Sequence, residues 1–160
     1  MNNPGGINTY HVNDRLSNLA MLDNGEETLR QLSRNITTWE TAHPSVHFET
    51  EEQVRTLLNG FGLPEEYYQK ETRPEEGSRE DNLLRFAYQL VGDRKRYEVW
   101  HTKHSREVQE GTLPPNETPK EPINFARIQI NYRLKEIRKS KEGQQSPPVI
   151  IEGSLRNPES

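Results

Sequence analysis

The chain has 160 residues, of which 29% are apolar and 29% are charged, with a net charge of −4 and no cysteine. Typical soluble domains contain about 45–50% apolar residues when Gly is counted, so this chain can bury only a small core unless other chains complete it. The absence of cysteine excludes disulfides, thiolate metal ligands and cysteine nucleophiles. No run approaches the roughly 18 apolar residues of a membrane span, and the first residues show no secretory pattern. We therefore predict a cytoplasmic or nuclear protein.

Charge is distributed unevenly along the chain. Residues 1–91 contain 8 basic and 15 acidic residues, whereas residues 92–160 contain 13 basic and 10 acidic ones. The segment 120–141 alone has 7 basic and 2 acidic residues. Such polarity is typical of head-to-tail self-association or of a local site for a polyanion, with a chance scatter of charge as the alternative.

The first part of the chain predicts a flexible segment followed by short helices. Residues 1–12 are rich in Asn, Gly and Pro and are expected to be flexible. A helical domain is predicted over 13–111. Its most regular helix runs from Glu26 to about Thr41, because apolar residues recur there at helical spacing, at Leu29, Leu32, Ile36 and Trp39.

Capping patterns predict the next helices. Thr50 and Gln53 match a capping box, in which each side chain bonds the backbone N–H of the other. Ser78 is predicted to cap a further helix that reaches Gly111, with Gly92 as a possible end or kink.

The last segment carries two apolar faces. After a proline-rich linker at 112–122, a basic helix is predicted over 123–142, and a flexible tail over 143–160. One helical face holds Ile123, Ala126, Ile130, Leu134 and Ile137. The opposite face holds Phe125, Ile128 and Tyr132. A helix that is apolar on two sides is usually packed between two partners.

Residues 123–134 also alternate with a period of two, so a strand is the alternative there. We favour a helix because the following residues are strong helix formers. The predicted fold class is all-α, a small bundle of about five or six short helices with flexible N- and C-terminal tails.

The sequence gives little support for a catalytic or metal-binding site. His43 and His47 are four residues apart, and His101 and His104 are three apart, which are spacings of helical zinc ligands. No acidic neighbour completes either pair, and no serine lies in a Gly-x-Ser-x-Gly context. We therefore predict no enzyme activity, no metal and no cofactor.

Basic residues on the later helices are candidates for contact with a nucleic-acid backbone, since each neutralised phosphate releases counterions. Dedicated nucleic-acid-binding domains usually have a pI above about 9, whereas the pI of this chain is about 5.8. The candidate nucleic-acid-binding residues are Lys95, Arg96, Lys103, Arg106, Arg127, Arg133, Lys135, Arg138, Lys139 and Lys141. The candidate partner-binding residues are Phe125, Ile128, Tyr132, Val149, Ile150 and Ile151.

These features together indicate a non-enzymatic assembly or adaptor protein. Its expected partners are further copies of itself or another protein, together with an RNA or DNA backbone in a nucleoprotein complex such as a viral or mobile-element particle. Two alternatives remain open. One is a small nucleic-acid-processing enzyme that uses histidine and acidic residues, and the other is a regulator that docks a partner through its C-terminal tail.

Overall fold

The fold is all-helical, as the sequence predicts. A computed structural model describes residues 9–42, 49–69, 71–111 and 121–145. These ranges contain six α-helices and no β-strand. The helices are α1 (Thr9–Ala20), α2 (Gly25–Ala42), α3 (Thr50–Leu57), α4 (Glu65–Tyr68), α5 (Arg79–Gln109) and α6 (Pro122–Gln145). None of the helices in these ranges is long and apolar enough to cross a membrane.

The first and last helices of the chain are longer than the sequence predicts. Helix α1 begins at Thr9 and not at residue 13, because Val12 is only 1% exposed and its burial in the core secures the first turn. The flexible segment predicted over 1–12 is therefore wrong for residues 9–12, and residues 1–8 lie outside the described ranges. Helix α6 continues to Gln145, beyond the predicted end at 142. Because α6 includes all of residues 123–134, the strand alternative for them is wrong.

Helix α5 is continuous through Gly92, so of the two possibilities considered there, an end or a kink, the end does not occur. Its predicted cap is confirmed, since the Ser78 hydroxyl accepts a hydrogen bond of 3.2 Å from the backbone N–H of Asp81. At 31 residues, α5 forms the longest element of the bundle.

The capping box predicted for α3 is wrong. Glu49 occupies the N-cap position and makes no side-chain capping bond. Instead, the Thr50 hydroxyl accepts from Lys95 Nζ at 2.7 Å, and the buried Gln53 accepts from Trp39 Nε1 at 3.3 Å. Partners on α5 and α2 thus engage both side chains of the expected local cap.

The core lies where α1, α2, α5 and α6 meet, and α3 packs against α2 and α5. Trp39 and Phe86 are its largest fully buried side chains. The apolar face predicted for α2 packs in the core, and so does one of the two apolar faces predicted for α6. On α2 the buried residues include Leu29, Leu32, Ile36 and Trp39, and on α6 they include Ile123, Ala126 and Ile130.

The directions of the helices follow from contacts at their ends. Arg127 near the start of α6 pairs with Glu40 near the end of α2, whereas Lys141 near the end of α6 pairs with Glu26 near the start of α2. Helix α6 therefore runs antiparallel to α2. The remaining surface of α6 faces away from the bundle.

Candidate interaction surfaces

The side of α6 that faces away from the core combines apolar and basic groups. Ile128 and Tyr132 lie one turn apart and are 60% and 55% exposed. Lys135 and Lys139 continue the same side at helical spacing and are also exposed. Phe125, which sequence analysis placed with Ile128 and Tyr132, is half-buried at the base of α6. We call Ile128, Tyr132, Lys135 and Lys139 the outer face of α6.

The basic residues predicted on α6 do not share one free edge. Arg127 bonds Glu40 and also donates to Thr37 Oγ1 at 3.1 Å. Arg133 donates to Asn13 Oδ1 at 2.7 Å. These residues and Lys141 hold α6 against α1 and α2, because their side chains leave the helix on its inner edges. The exposed basic residues of this helix that make no ion pair with a described residue are Lys135, Arg138 and Lys139.

Lys141 also lowers the pKa of Glu26, its partner in the ion pair. Hydrogen bonds from Lys141 and, secondarily, from Arg30 lower the pKa of Glu26 to about 2. The Lys141 Nζ to Glu26 Oε1 distance is 2.6 Å. Glu26 therefore stays ionised to a more acidic pH than an ordinary glutamate, and its ion pair with Lys141 joins the C-terminal part of α6 to the start of α2.

The candidate nucleic-acid-binding residues on α5 also fall into two groups, one paired and one exposed. Lys95 is half-buried and bonded to Thr50, while Arg96 is half-buried and paired with Asp93 at 2.7 Å. Lys103 and Arg106 are exposed on the later part of the helix. The residues predicted in the C-terminal tail, Val149, Ile150 and Ile151, lie outside the described residues.

A strongly acidic surface is formed by α3, α4 and the segment that follows them. Residues 49–76 contain eight glutamates against Arg55, Lys70 and Arg73. All eight glutamates are exposed, at Glu49, Glu51, Glu52, Glu65, Glu66, Glu71, Glu75 and Glu76. We call these eight residues the acidic face.

Arg55 sits within the acidic face and joins its two helices. Its guanidinium pairs with Glu51 at 2.6 Å and with Glu65. The hydrogen bond from Arg55 lowers the pKa of Glu65 below its usual range. The other glutamates of this surface keep it anionic. Among the described residues, α6 contacts neither α3 nor α4, so the acidic face and the outer face of α6 are separate surfaces.

A third surface is a groove between α1 and α5. The two helices run antiparallel, since Asn18 Nδ2 near the end of α1 donates to Asn82 Oδ1 near the start of α5 at 3.0 Å, while His11 near the start of α1 lines one groove with Gly92 and Arg96. The groove has a volume of about 450 Å³. Its lining comprises His11, Arg15, Arg85, Tyr88, Gln89, Gly92 and Arg96, and we call it the arginine groove.

Sequence analysis found only Arg96 of this groove. Arg15 and Arg85 are isolated basic residues in the acidic half of the chain, seventy positions apart, and no local pattern links them. Only the packing of α1 on α5 brings them together.

The two histidines predicted as a pair on α5 make separate ring contacts. His104 is buried and stacks on Trp100, with ring centroids 4.6 Å apart, whereas His101 is exposed and stacks on Tyr97. No group of three histidine or acidic side chains that could hold a metal ion occurs in the described ranges. His43 and His47 lie outside them.

Comparisons of the chain with protein-family models, with curated proteins and with solved structures found no match.

Proposed function

We propose that this chain is a non-enzymatic assembly protein that associates head to tail, with the outer face of α6 on one copy docked on the acidic face of the next. The observation that carries the proposal is the exposed pair Ile128 and Tyr132 on the helix side opposite the core. The sequence-level expectation of self-association and the positions of the charged surfaces support the same pairing.

The apolar part of the outer face provides the contact area. Large apolar side chains that are exposed side by side commonly mark an interaction surface, whereas single ones need no explanation. Ile128 and Tyr132 are four residues apart and therefore adjacent on the helix. Tyrosine is also enriched at the centres of interfaces, because its ring packs while its hydroxyl stays hydrogen-bonded.

The charged part provides orientation and choice of partner. Lys135 and Lys139 flank Tyr132 along the outer face, and neither has a hydrogen bond to a described residue. The acidic face presents the opposite sign through eight exposed glutamates. Complementary charge steers association and suppresses wrong orientations more than it raises affinity.

The separation of the two surfaces determines the type of assembly. An interface between two different patches is heterologous, so each copy keeps one free patch of each kind. Such contacts form rings when the rotation closes and filaments when it does not. The proposal therefore predicts species larger than a dimer as the protein concentration rises, and weaker association at high salt because exposed charges are screened.

Sedimentation velocity and light scattering on the full chain, at low and high salt, test this proposal. Ile128→Ser with Tyr132→Ser should give a monomer. Met21→Ser is the matched control, because Met21 is 82% exposed but lies outside α6. It should associate like the wild-type protein.

Charge reversal provides the sharper test. Lys135→Glu with Lys139→Glu should abolish association, and so should Glu52→Lys with Glu66→Lys, whose carboxylates make no hydrogen bond to a described residue. An equal mixture of the two variants should associate again, because each supplies the surface that the other has lost. Wild-type protein that remains monomeric at high micromolar concentration would refute the proposal, as would a mixture that stays monomeric.

A further inference from the structure

We propose that the arginine groove binds single-stranded nucleic acid, with its arginines on successive phosphates and with Tyr67 and Tyr88 stacking on bases. This inference does not depend on self-association, because the groove lies between α1 and α5 and shares no residue with the outer face of α6 or the acidic face. It also differs from the sequence-level expectation, which placed the main nucleic-acid contact on α6.

The groove presents guanidinium donors that the described structure leaves unused. Arg15 is half-buried, and its guanidinium makes no hydrogen bond to a described residue. Arg85 uses only Nε, which donates to Asp81 at 2.8 Å. Arg96 uses Nη2, which donates to Asp93 at 2.7 Å. Guanidinium N–H groups that remain free are suited to bidentate bonds with phosphate oxygens.

Two buried carboxylates hold the arginines in place. Asp93 is fully buried, and Asp81 is nearly so, which places both beneath the guanidinium groups. Burial acts to raise the pKa of Asp81, but hydrogen bonds from the Gly77 backbone and Arg85, together with the charge of Arg15, lower it overall. Asp81 is therefore ionised, and its hydrogen bond from Arg85 Nε orients the Arg85 side chain. Carboxylates behind a metal site orient the metal-binding side chains in the same way.

Three carboxylates lie beside the three arginines of the groove, so the charges balance in number but not in position. Asp81 and Asp93 each pair with one arginine, and Glu76 lies close enough to Arg85 to affect its charge. Arg15 has no ion pair with a described residue. The His11 imidazole adds a further nitrogen donor beside the arginines. Because Arg15 is left without a paired carboxylate among the described residues, we expect moderate affinity with a clear dependence on salt.

The spacing of the arginines favours a strand over a single phosphate. Arg85 and Arg96 are eleven residues apart on one helix, which corresponds to about 16 Å at 1.5 Å per residue. Arg15 lies at the Arg85 end, since its charge affects Asp81. A single phosphate group cannot reach both ends, whereas consecutive phosphates of one strand can.

Aromatic rings extend the groove at its Arg85 end. An adjoining cavity of about 230 Å³ shares Arg85 and Tyr88 with it and is also lined by Tyr67, Arg73 and Leu84. The Tyr88 hydroxyl donates to the Tyr68 carbonyl at 3.1 Å, which fixes the ring in the cavity wall. Basic grooves combined with aromatic rings are typical of single-strand binding, because unpaired bases can stack whereas duplex bases are already stacked.

Fluorescence anisotropy with labelled oligouridine and oligothymidine tests the inference. Oligomers of about eight nucleotides match the site sizes of single-strand-binding domains and are too short to bridge copies of an assembly. A blunt duplex and an acidic phosphopeptide serve as competing probes. Single strands should bind, and the duplex and peptide should bind at least tenfold more weakly.

Matched triple variants locate the site. Arg15→Gln with Arg85→Gln and Arg96→Gln should lower the salt dependence by about 2 log units per log unit of salt, since each phosphate contact on a single strand contributes about 0.7. Lys135→Gln with Arg138→Gln and Lys139→Gln removes the same charge from α6 and should leave binding nearly unchanged. Loss of binding only in the α6 variant would overturn the inference.

Two measurements protect the test against misfolding of the groove variant. Arg15→Gln alone removes a side chain that has no hydrogen-bonding partner among the described residues, so it should fold normally and lower the salt dependence by about 0.7. Ultraviolet cross-linking of halogenated oligouridine to the wild-type chain should modify Tyr67 or Tyr88. Cross-links confined to other residues, or no binding of any single strand at low salt, would refute the proposal.

Discussion

Replacing Gly92 with alanine should stabilise the protein, because the change removes a glycine from the interior of α5 at little steric cost. Glycine in a helix interior is less favourable than alanine by about 0.5–1 kcal/mol. The added Cβ would lie 3.3 Å from Arg96 Nη2, which is the end of a flexible side chain with 42% of its surface exposed. A shift of a few tenths of an ångström relieves this contact, but Nη2 also donates to the buried Asp93, so the net gain should stay below about 1 kcal/mol.

Gly25→Ala is the matched control, since it adds the same atoms at a different place. Its Cβ would lie 2.4 Å from the Ala20 carbonyl oxygen and 2.9 Å from that of Leu19. Both are backbone atoms at the end of α1, so relief requires the turn between α1 and α2 to move. Overpacking of this kind typically costs about 1–3 kcal/mol.

Urea denaturation followed by circular dichroism measures both changes. For a chain of this length, a gain of 1 kcal/mol corresponds to about 2–4 °C in Tm, and the denaturant slope m should stay constant if only stability changes. The two variants should shift the midpoint in opposite directions. A destabilised Gly92→Ala, or a neutral Gly25→Ala, would refute the steric reasoning.

Two further predictions concern polar ties between helices. Asn35→Ala should cost about 1–3 kcal/mol, because it leaves the buried Leu57 carbonyl at the end of α3 without the 2.9 Å hydrogen bond from Asn35 Nδ2; the 2.8 Å bond to the Asn59 carbonyl just beyond α3 is lost as well. The exposed Asn131→Ala should stay within about 0.5 kcal/mol in the same urea assay. Glu26 has a pKa of about 2 instead of 4.5, owing to Lys141 and then Arg30, so its contribution to stability is complete above the higher value and is lost as pH falls toward the lower one. In Lys141→Gln the pKa of Glu26 should rise, as measured by carbon NMR of its carboxyl group, and wild-type titration near the usual 4.5 would contradict this account.

Hydrophobic periodicity predicted the helices well. The spacing of Leu29, Leu32, Ile36 and Trp39 identified the buried side of α2, and all four are fully buried. In α6 the same reasoning separated the core side from the side that holds Ile128 and Tyr132. Periodicity succeeds here because a helix in a bundle must turn one continuous stripe toward the core.

Local capping rules were less reliable, for a physical reason. Ser78 caps α5 as predicted, since its hydroxyl can reach the backbone of the first turn. Thr50 and Gln53 match the pattern equally well, but Lys95 and Trp39 offer them partners from other helices. A local motif predicts a bond only where tertiary contacts do not compete for the same atoms.

The candidate sites depended most on tertiary structure. Sequence reasoning placed Arg127, Arg133 and Lys141 in a basic edge, and the structure instead uses them to hold α6 on its neighbours. It could not find Arg15 and Arg85, because their proximity arises only when α1 packs on α5.

The packing of α1 against α6 affects how the chain is made. About a hundred residues separate the end of α1 from the start of α6, so at roughly 5–20 residues per second α6 is translated about 5–20 s after α1. During that interval α1 lacks the part of its packing that α6 supplies in the folded chain. We expect the nascent chain to expose apolar surface on α1, which is the kind of surface that chaperones recognise, until α6 is synthesised and can dock.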